Sequence, residues 1–224
     1  MNPRTSTREQ EVLVRTEDAQ LPGFLTIPEG ADGLVLFAHG SGSSRFSSRN
    51  RFVAEVLNEG RIATLLFDLL TADEHRVDEQ TAHLRFDIGL LARRLVGAID
   101  WASDQPATQA MRLGLFGAST GAAAALVAAA ERPNRVDAVV SRGGRPDLAG
   151  EALKHVRAPV LLIVGGNDQP VIGMNEEAAT QLQVEHRISI VEGATHLFEE
   201  PGTLDEAARL AQAWFKQHVL REAT

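Results

Sequence analysis

The stretch Leu113–Ala125, LGLFGASTGAAAA, decides how this chain folds. Its first residues are apolar and strand-like, two glycines flank Ser119, and an alanine-rich run follows. A strand that turns this sharply into a helix brings neighbouring backbones into contact, where a Cβ on either flank would collide. The pattern G-x-S-x-G therefore predicts a tight turn that exposes the Ser119 hydroxyl above the strand end. Alternatively, these small residues only allow a strand and a helix to pack closely, and Ser119 has no catalytic role.

Apolar runs and helical patterns alternate along the chain after an initial pair of strands. Leu34–Ala38 is an apolar run that ends at a Gly/Ser cluster, which is typical of a buried strand. Such alternation predicts an α/β fold with a mostly parallel sheet and helices on both faces. Gln10–Thr16 and Gly23–Pro28 predict an antiparallel hairpin, which brings the count to eight strands. We expect a single domain over residues 1–224, with residues 1–8 as a flexible tail.

Helices are predicted where apolar residues recur three or four positions apart. Three of them are Arg85–Asp104, Thr120–Glu131 and Asn175–Leu182. The polar, acidic segment Thr71–Leu84 predicts a solvated connection, with a mobile flap as the alternative. Only 17 residues, Arg142–Ala158, separate two predicted strands, which is enough for one helix. We therefore expect no large cap and an open site.

Composition and charge exclude several classes of function. The chain has 22 Lys and Arg against 30 Asp and Glu, a net charge of −8, which argues against a nucleic-acid partner. It has no cysteine, so disulfides, thiolate metal sites and cysteine nucleophiles are excluded. The first ten residues lack the apolar core of a signal peptide, and the longest apolar run, Ala122–Ala130, is too short to span a bilayer. We expect a cytoplasmic protein without a membrane partner, and the oligomeric state stays open.

Ser119 needs a base to act as a nucleophile, and the base needs an orienting acid. Asp168 follows a predicted strand in LLIVGGNDQPV, and His196 follows the last predicted strand in ISIVEGATHLFEE. Open α/β sheets gather their ligand sites beyond the carboxyl ends of the strands, where both residues fall. We therefore predict Ser119 as nucleophile, His196 as general base and Asp168 as orienting acid, with no metal ion. Three other acids could compete with Asp168: Asp147, Glu199 and Glu200.

The segment FAHGSGSSRFSSRN follows the first parallel strand and supplies the second half of the predicted site. A tetrahedral intermediate needs two donors for its oxyanion, and we predict the backbone N–H groups of Ser41 and Thr120. His39 is expected to brace this loop by hydrogen bonds, with substrate contact as a weaker alternative. A phosphate-binding loop is disfavoured because the segment lacks the lysine and the spacing of G-x-x-x-x-G-K-[ST].

Two arginines in SRGGRPD, Arg142 and Arg145, also follow a predicted strand end. They could bind a substrate carboxylate bidentately. The favoured interpretation is an ion pair with Asp147 or with the acidic segment Asp73–Glu79.

The chain resembles the α/β-hydrolase superfamily over nearly its whole length, both in these motifs and in their spacing. Ser119 and Asp168 are 49 residues apart, and Asp168 and His196 are 28 residues apart. More narrowly it resembles the small, capless dienelactone-hydrolase-like branch, through segments such as LLFDLL, VVSRGGRPDL and EGATHLFEEPG. Some bacterial hydrolases of this kind are fused to a phosphoribosyltransferase domain, which these residues do not include. This chain differs from true dienelactone hydrolases in two features. Their nucleophile is cysteine where this chain has Ser119, and their first loop carries a glutamate where this chain has His39-Gly40-Ser41.

The resemblance implies hydrolysis of small carboxylic esters or lactones through an acyl-enzyme, with no cofactor. The expected partner is therefore a small-molecule substrate. An acyltransferase or a perhydrolase with the same triad is an alternative, as is a catalytically silent binding protein on this fold. The natural acyl group and leaving group stay open at this point.

Overall fold

The structure is a computed structural model and describes residues 9–220, so the tail expected at residues 1–8 lies outside the described residues. Eight strands form one sheet: β1 (Glu9–Arg15), β2 (Gln20–Thr26), β3 (Gly33–Ala38), β4 (Ala63–Phe67), β5 (Arg112–Ala118), β6 (Val136–Arg142), β7 (Val160–Gly165) and β8 (His186–Val191). Six α-helices accompany them: α1 (Ser48–Glu59), α2 (Ala72–Thr81), α3 (Ile88–Asp104), α4 (Thr120–Glu131), α5 (Gln169–Ala179) and α6 (Thr203–His218).

The strands are ordered β1-β2-β4-β3-β5-β6-β7-β8 across the sheet. β2 runs antiparallel to both β1 and β4, and the other neighbouring strands are parallel. Every residue of β3 and β7 is buried, because helices cover both faces of the sheet. The predicted α/β fold with an eight-stranded, mostly parallel sheet is confirmed.

Two hydrophobic cores lie on opposite faces of this sheet. Side chains of α1 and α6 pack on one face, with Phe37 and Phe116 from the strands. Side chains of α3, α4 and α5 pack on the other face, with Leu36 and Leu115 from the same two strands. Because alternate residues of a strand point to opposite faces, each central strand contributes to both cores. The same strands therefore hold their carboxyl ends rigidly at one edge of the sheet.

Within the segment Thr71–Leu84, residues Ala72–Thr81 form the helix α2, so the predicted irregular connection is wrong. Thr71 caps the helix by accepting from the Glu74 N–H, and the Glu74 carboxylate accepts from the Thr71 N–H in return. Asp78 is only 1% exposed and accepts from Arg85 Nε at 2.6 Å, while Glu74 accepts from Arg94 Nη2 at 2.6 Å. These buried and half-buried ion pairs attach the polar helix to the body of the protein.

The structure also corrects the start of α5 and defines the segment between β6 and β7. α5 begins at Gln169, six residues before the predicted start at Asn175, because Pro170 is tolerated in the first helical turn. Between β6 and β7, residues Pro146–His155 form a 3₁₀-helix that is broken at Gly150. The Arg142–Ala158 segment thus holds no large cap. Within residues 9–220, no helix is both long enough and apolar enough to cross a bilayer.

The N-terminus of α4 lies in backbone contact with the ends of β3 and β5. A Cβ added at Gly121 would approach the His39 carbonyl oxygen to 2.6 Å, and one added at Gly117 would approach the Gly121 carbonyl oxygen to 2.6 Å. The alanines behind this turn, Ala122–Ala125, are all fully buried, so the helix lies close to the sheet along its first turns.

We expect Gly117→Ala to destabilise the protein, because its Cβ would meet backbone atoms that only a shift of α4 can relieve. The free energy of unfolding in urea should fall by about 1–3 kcal/mol or more, as in other overpacked cores. Gly173→Ala is the matched control, since an added Cβ in the middle of α5 meets nothing within 4 Å. That variant should be neutral or gain up to about 1 kcal/mol. Equal losses in the two variants would contradict the close contact.

Candidate active site

Ser119 occupies the turn between β5 and α4 in a strained backbone conformation, with φ 50° and ψ −123°. Three backbone hydrogen bonds hold the turn: the Ser119 N–H donates to the Arg142 carbonyl at 3.4 Å, and the Ser119 carbonyl accepts from the Ala122 and Arg145 N–H groups at 3.1 Å. A non-glycine residue persists in such a conformation only when its surroundings impose it. The predicted tight turn is therefore present, and it is attached to the end of β6 next to it.

Asp168 and His196 meet from the loops after β7 and β8. Asp168 Oδ2 lies 2.7 Å from His196 Nδ1, a distance typical of a charge-assisted hydrogen bond. The Asp168 side chain is 14% exposed and the His196 side chain 39%, so the acid lies beneath a more accessible ring. With Nδ1–H donated to the carboxylate, Nε2 of His196 is left as the basic nitrogen. His196 and Ser119 line the same cavity.

Each of the three rival acids has another partner. Asp147 pairs with Arg145 at 2.7 Å. Glu199 lies 3.3 Å from Arg49, and Glu200 accepts from the Thr195 hydroxyl at 2.6 Å and from the Thr195 N–H at 3.0 Å. The structure therefore brings Asp168 to His196 and keeps these three carboxylates in other contacts.

The loops that carry Asp168 and His196 are joined by a residue that the sequence analysis did not single out. The Asn167 side chain donates to the Gly193 carbonyl at 2.9 Å, and its N–H donates to the Ala194 carbonyl at 2.9 Å. These bonds fix the loop before His196 relative to the loop that holds Asp168. Asn167 precedes the predicted acid directly, and an amide at that position is the signal that could have identified it.

The predicted oxyanion donors lie on both sides of Ser119. Ser41 lines the cavity with Ser119, and a Cβ added at its neighbour Gly40 would come within 3.1 Å of Ser119 Cβ. Thr120 is the first residue of α4, where a backbone N–H has no acceptor inside the helix and the helix dipole favours a negative charge. The arrangement can therefore offer two N–H groups to an oxygen that develops charge above Ser119.

His39 uses both ring nitrogens to brace the loop, as expected. Nε2 accepts from the Leu69 N–H at 3.0 Å, so the proton is on Nδ1, which donates to the Gly40 carbonyl at 3.0 Å. Burial lowers the pKa of His39 below its ordinary 6.5 and keeps the ring neutral. With both nitrogens occupied, His39 has no polar atom left for a substrate, and the weaker alternative is not supported.

The two arginines after β6 have different environments. Arg145 forms a two-point ion pair with Asp147, Nε and Nη2 to the two carboxylate oxygens at 2.9 and 2.7 Å, which confirms the favoured interpretation for this residue. For Arg142 that interpretation is wrong. Its side chain is buried, and Nε and Nη1 find no hydrogen-bond partner within residues 9–220. Burial, together with the nearby charge of Arg49, lowers the pKa of Arg142 to about 10, so it is still a cation at neutral pH.

A cavity of about 180 Å³ lies beside Ser119 and His196. Asp168 and Thr120 do not line it. The lining residues come from the loop after β3, the start of α1, the ends of β5 and β6, and the loop after β8: Gly40, Ser41, Ser43, Ser47, Arg49, Asn50, Ala118, Ser119, Arg142, Gly143, His196 and Leu197. Among the described residues, no group of three or more His, Asp or Glu side chains could hold a metal ion.

Solved structures with this architecture define the class of the fold. An esterase of Pyrococcus furiosus superposes with a TM-score of 0.73 at 18% identity, covering 98% of this chain and 95% of that one. The crystal structure of a dienelactone hydrolase from Anabaena variabilis is 61% identical and has a TM-score of 0.94, covering 96% of this chain and 99% of that chain. The protein thus has an α/β-hydrolase fold.

The model of the dienelactone hydrolase family matches residues 21–220, and the chain belongs to that family. Two strains of Mycobacterium tuberculosis contain relatives that are 55% identical over 212 residues and are provisionally named phosphoribosyl transferases. The match covers 95% of this chain but 47% of each relative, so the chain spans about half the length of those proteins.

The lowered pKa of His39 predicts how stability depends on pH. Below pH 6.5 the unfolded chain binds a proton that the folded protein excludes, so the free energy of unfolding should fall as pH decreases from 6.5 toward the folded-state pKa. His39→Gln keeps an acceptor for the Leu69 N–H but does not titrate. Urea unfolding from pH 8 to about pH 5 should show a slope shallower by up to about 1.4 kcal/mol per pH unit in the variant. Parallel slopes would mean that the pKa of His39 is the same in the folded and the unfolded protein.

Proposed function

We propose that the protein is a serine hydrolase of small carboxylic esters or lactones that works through an acyl-enzyme. The observation that carries this proposal is the 2.7 Å contact between Asp168 and His196 beside a strained Ser119 turn. A carboxylate that fixes one imidazole nitrogen leaves the other as a base, which is what a serine nucleophile requires. Membership of the dienelactone hydrolase family supports the same chemistry.

In the first half-reaction, Ser119 Oγ attacks the ester carbonyl carbon while His196 Nε2 takes the hydroxyl proton. The tetrahedral intermediate then collapses, the C–O bond to the leaving alcohol breaks, and the imidazolium gives its proton to that alcohol. In the second half-reaction, His196 takes a proton from water, whose oxygen attacks the acyl carbon. Collapse returns the proton to Ser119 Oγ and releases the carboxylic acid. Asp168 stabilises the imidazolium in both halves.

The negative charge of each tetrahedral intermediate would be bound by the N–H groups of Thr120 and Ser41. Such donors are effective when they are already oriented before the charge develops. The turn that presents Thr120 is held by hydrogen bonds from Ala122 and Arg145 to the Ser119 carbonyl, and the glycine contacts keep α4 against the sheet. The donors therefore need little reorganisation during the reaction.

The size and openness of the cavity support short acyl groups. Its volume of about 180 Å³ is below the roughly 300–1,000 Å³ of typical small-molecule pockets. His196 is 39% exposed, so a leaving alcohol can depart toward solvent and a water molecule can take its place. That accessibility supports water, rather than another acyl acceptor, as the second reactant.

We expect Ser119→Ala to abolish the turnover of p-nitrophenyl acetate, because no other hydroxyl can accept the acyl group in this mechanism. The wild-type protein should also be labelled by a fluorophosphonate probe, and the variant should not. Circular dichroism and thermal unfolding serve as controls for folding. Full esterase activity in a folded Ser119→Ala protein would disprove the proposed nucleophile.

We expect Asp168→Asn to lower kcat by about 10³–10⁴-fold, because an amide in place of the carboxylate favours the wrong imidazole tautomer. Asp147→Asn is the matched control. It makes the same carboxylate-to-amide change in a rival residue, but the Asp147 carboxylate pairs with Arg145 rather than with His196. Its kcat should stay within a few-fold of wild type. A reversed result would assign the orienting role to Asp147.

A further inference from the structure

A second cavity lies next to the one beside Ser119 and is larger. Its volume is about 360 Å³, against about 180 Å³ for the cavity beside Ser119. The larger volume is within the range of typical small-molecule pockets. Its lining residues come from β2, the loop after β3, the segment after β4 and the first turns of α2. Ser119, Asp168 and His196 do not line it, so the second cavity is outside the groups of the proposed reaction.

The loop after β3 separates the two cavities and contributes residues to both. Ser41 and Ser47 line the cavity beside Ser119, whereas Arg45 and Phe46 line the second cavity. Ser43 lines both of them. The cavities therefore adjoin at Ser43, and a molecule bound at Ser119 can extend past this residue into the second cavity.

Phe46 gives the second cavity an exposed aromatic surface. The residue is 59% exposed, although its ring is held by two neighbours. The Phe24 ring meets it in a T-shaped arrangement with the centroids 5.4 Å apart, and Arg45 Cζ lies 4.3 Å from the Phe46 centroid. Pro22 and Leu70 add further apolar surface to the lining. A ring that is already fixed loses little conformational entropy when a ligand covers it.

The opposite charges in the second cavity are already paired. The Arg45 guanidinium forms an ion pair with one Asp68 carboxylate oxygen, and the Arg45 N–H donates to the other oxygen at 2.8 Å. His39, which also lines the cavity, is neutral and has both ring nitrogens in hydrogen bonds. A charged ligand would compete with an existing ion pair, whereas a neutral apolar group would not. The lining therefore suits a neutral apolar ligand.

The sizes of the two cavities indicate which part of an ester would enter the second one. The acyl group is bonded to Ser119 in the acyl-enzyme, so it occupies the small cavity beside that residue. The alcohol part is then the part that extends past Ser43. Since Phe46 is exposed, the second cavity is open to solvent on that side, and the alcohol can leave once the ester bond is broken.

We propose that the second cavity binds the alcohol part of the substrate, and that the preferred substrates are esters of short carboxylic acids with neutral alcohols that bear an aromatic ring. The ring would lie against Phe46, between the loop after β3 and the start of α2. The inference rests on the proposed hydrolase function and names the leaving-group class of the same site. The bond that breaks is the ester C–O bond, and His196 gives its proton to the departing alcohol oxygen.

Phenethyl acetate and ethyl acetate test the alcohol class, because they share the acyl group and differ only in the ring. Wild type should prefer phenethyl acetate by about 10–100-fold in kcat/KM. Phe46→Ala should lose about 5–20-fold on phenethyl acetate and change about two-fold or less on ethyl acetate. Phe86→Ala is the matched control, since Phe86 is 57% exposed and lines neither cavity. Equal kcat/KM values for the two esters in wild type would overturn the inference and leave the hydrolase function intact.

A variant that fills the second cavity tests it from the opposite side. Ala72 is an exposed residue at the start of α2 and lines the cavity, so Ala72→Trp should occupy the space meant for the ring. Its kcat/KM should fall about 10-fold or more on phenethyl acetate and stay near wild type on ethyl acetate. Val77→Trp is the matched control, because Val77 is exposed on the same helix but lines neither cavity. An equal loss on both esters in Ala72→Trp would contradict a role that is specific to the alcohol.

Methyl hydrocinnamate separates the two sides of the ester. It is an isomer of phenethyl acetate in which the ring belongs to the acyl group. Wild type should hydrolyse it with a lower kcat/KM than phenethyl acetate, and Phe46→Ala should leave that value nearly unchanged. A preference for methyl hydrocinnamate that Phe46→Ala removes would assign the second cavity to the acyl group and overturn the inference.

Binding of the product alcohol separates the second cavity from catalysis. In the Ser119→Ala protein, saturation-transfer NMR with phenethyl alcohol should show transfer to the ring protons, and the additional Ala72→Trp substitution should remove it. If wild type hydrolyses no ester but this transfer and its loss are observed, the hydrolase function fails and the aromatic site stands. Transfer that Ala72→Trp leaves unchanged would show that the ring binds elsewhere, and would overturn the inference.

Discussion

The backbone contact between the first turn of α4 and the ends of β3 and β5 is the constraint on which the site depends. A Cβ at Gly121 would lie 2.6 Å from the His39 carbonyl oxygen, so no other residue fits without moving the helix. This approach holds Ser119 at a positive φ of 50° directly before α4, whose first residue is Thr120. The helix dipole then acts on the position where an oxyanion would form, and the same contact brings the Gly40 loop against Ser119.

The order of the strands in the sheet determines where the other side chains of the candidate site lie. β5, β6, β7 and β8 are consecutive neighbours in the sheet, and their carboxyl ends lead to Ser119, Arg142, Asp168 and His196 respectively. Each strand end contributes one group, because the carboxyl ends of parallel strands meet at one edge. Asn167 joins the loops after β7 and β8. The position of His196 is therefore fixed by hydrogen bonds to the backbone of its loop as well as by the Asp168 carboxylate.

The sequence predicted those features that follow from local patterns, and it failed where tertiary contacts decide. Buried strands and the G-x-S-x-G turn have strong local signals, and the Asp168–His196 contact follows from their positions after parallel strands. α2 was missed because its residues are nearly all polar, and its stability comes from the capping box at Thr71 and from the distant partner Arg94. The capping-box pattern was readable in the sequence, whereas the pairing with Arg94 was not. The burial of Arg142 without an acid was equally inaccessible, because a nearby Asp147 suggested a partner that Arg145 takes instead.

Two departures from ordinary protein chemistry lie on adjacent strand ends, and a backbone hydrogen bond from the Ser119 N–H to the Arg142 carbonyl joins them. Ser119 has a strained backbone, and Arg142 is a buried cation without a carboxylate. Such violations concentrate at functional sites and are offset by stability elsewhere, here by two well-packed cores. The Ser119 carbonyl accepts from the Ala122 and Arg145 N–H groups, so the strained turn is held from two directions, by α4 and by the segment after β6. A change in either element would therefore act on the Ser119 turn, even where it touches no side chain of the site.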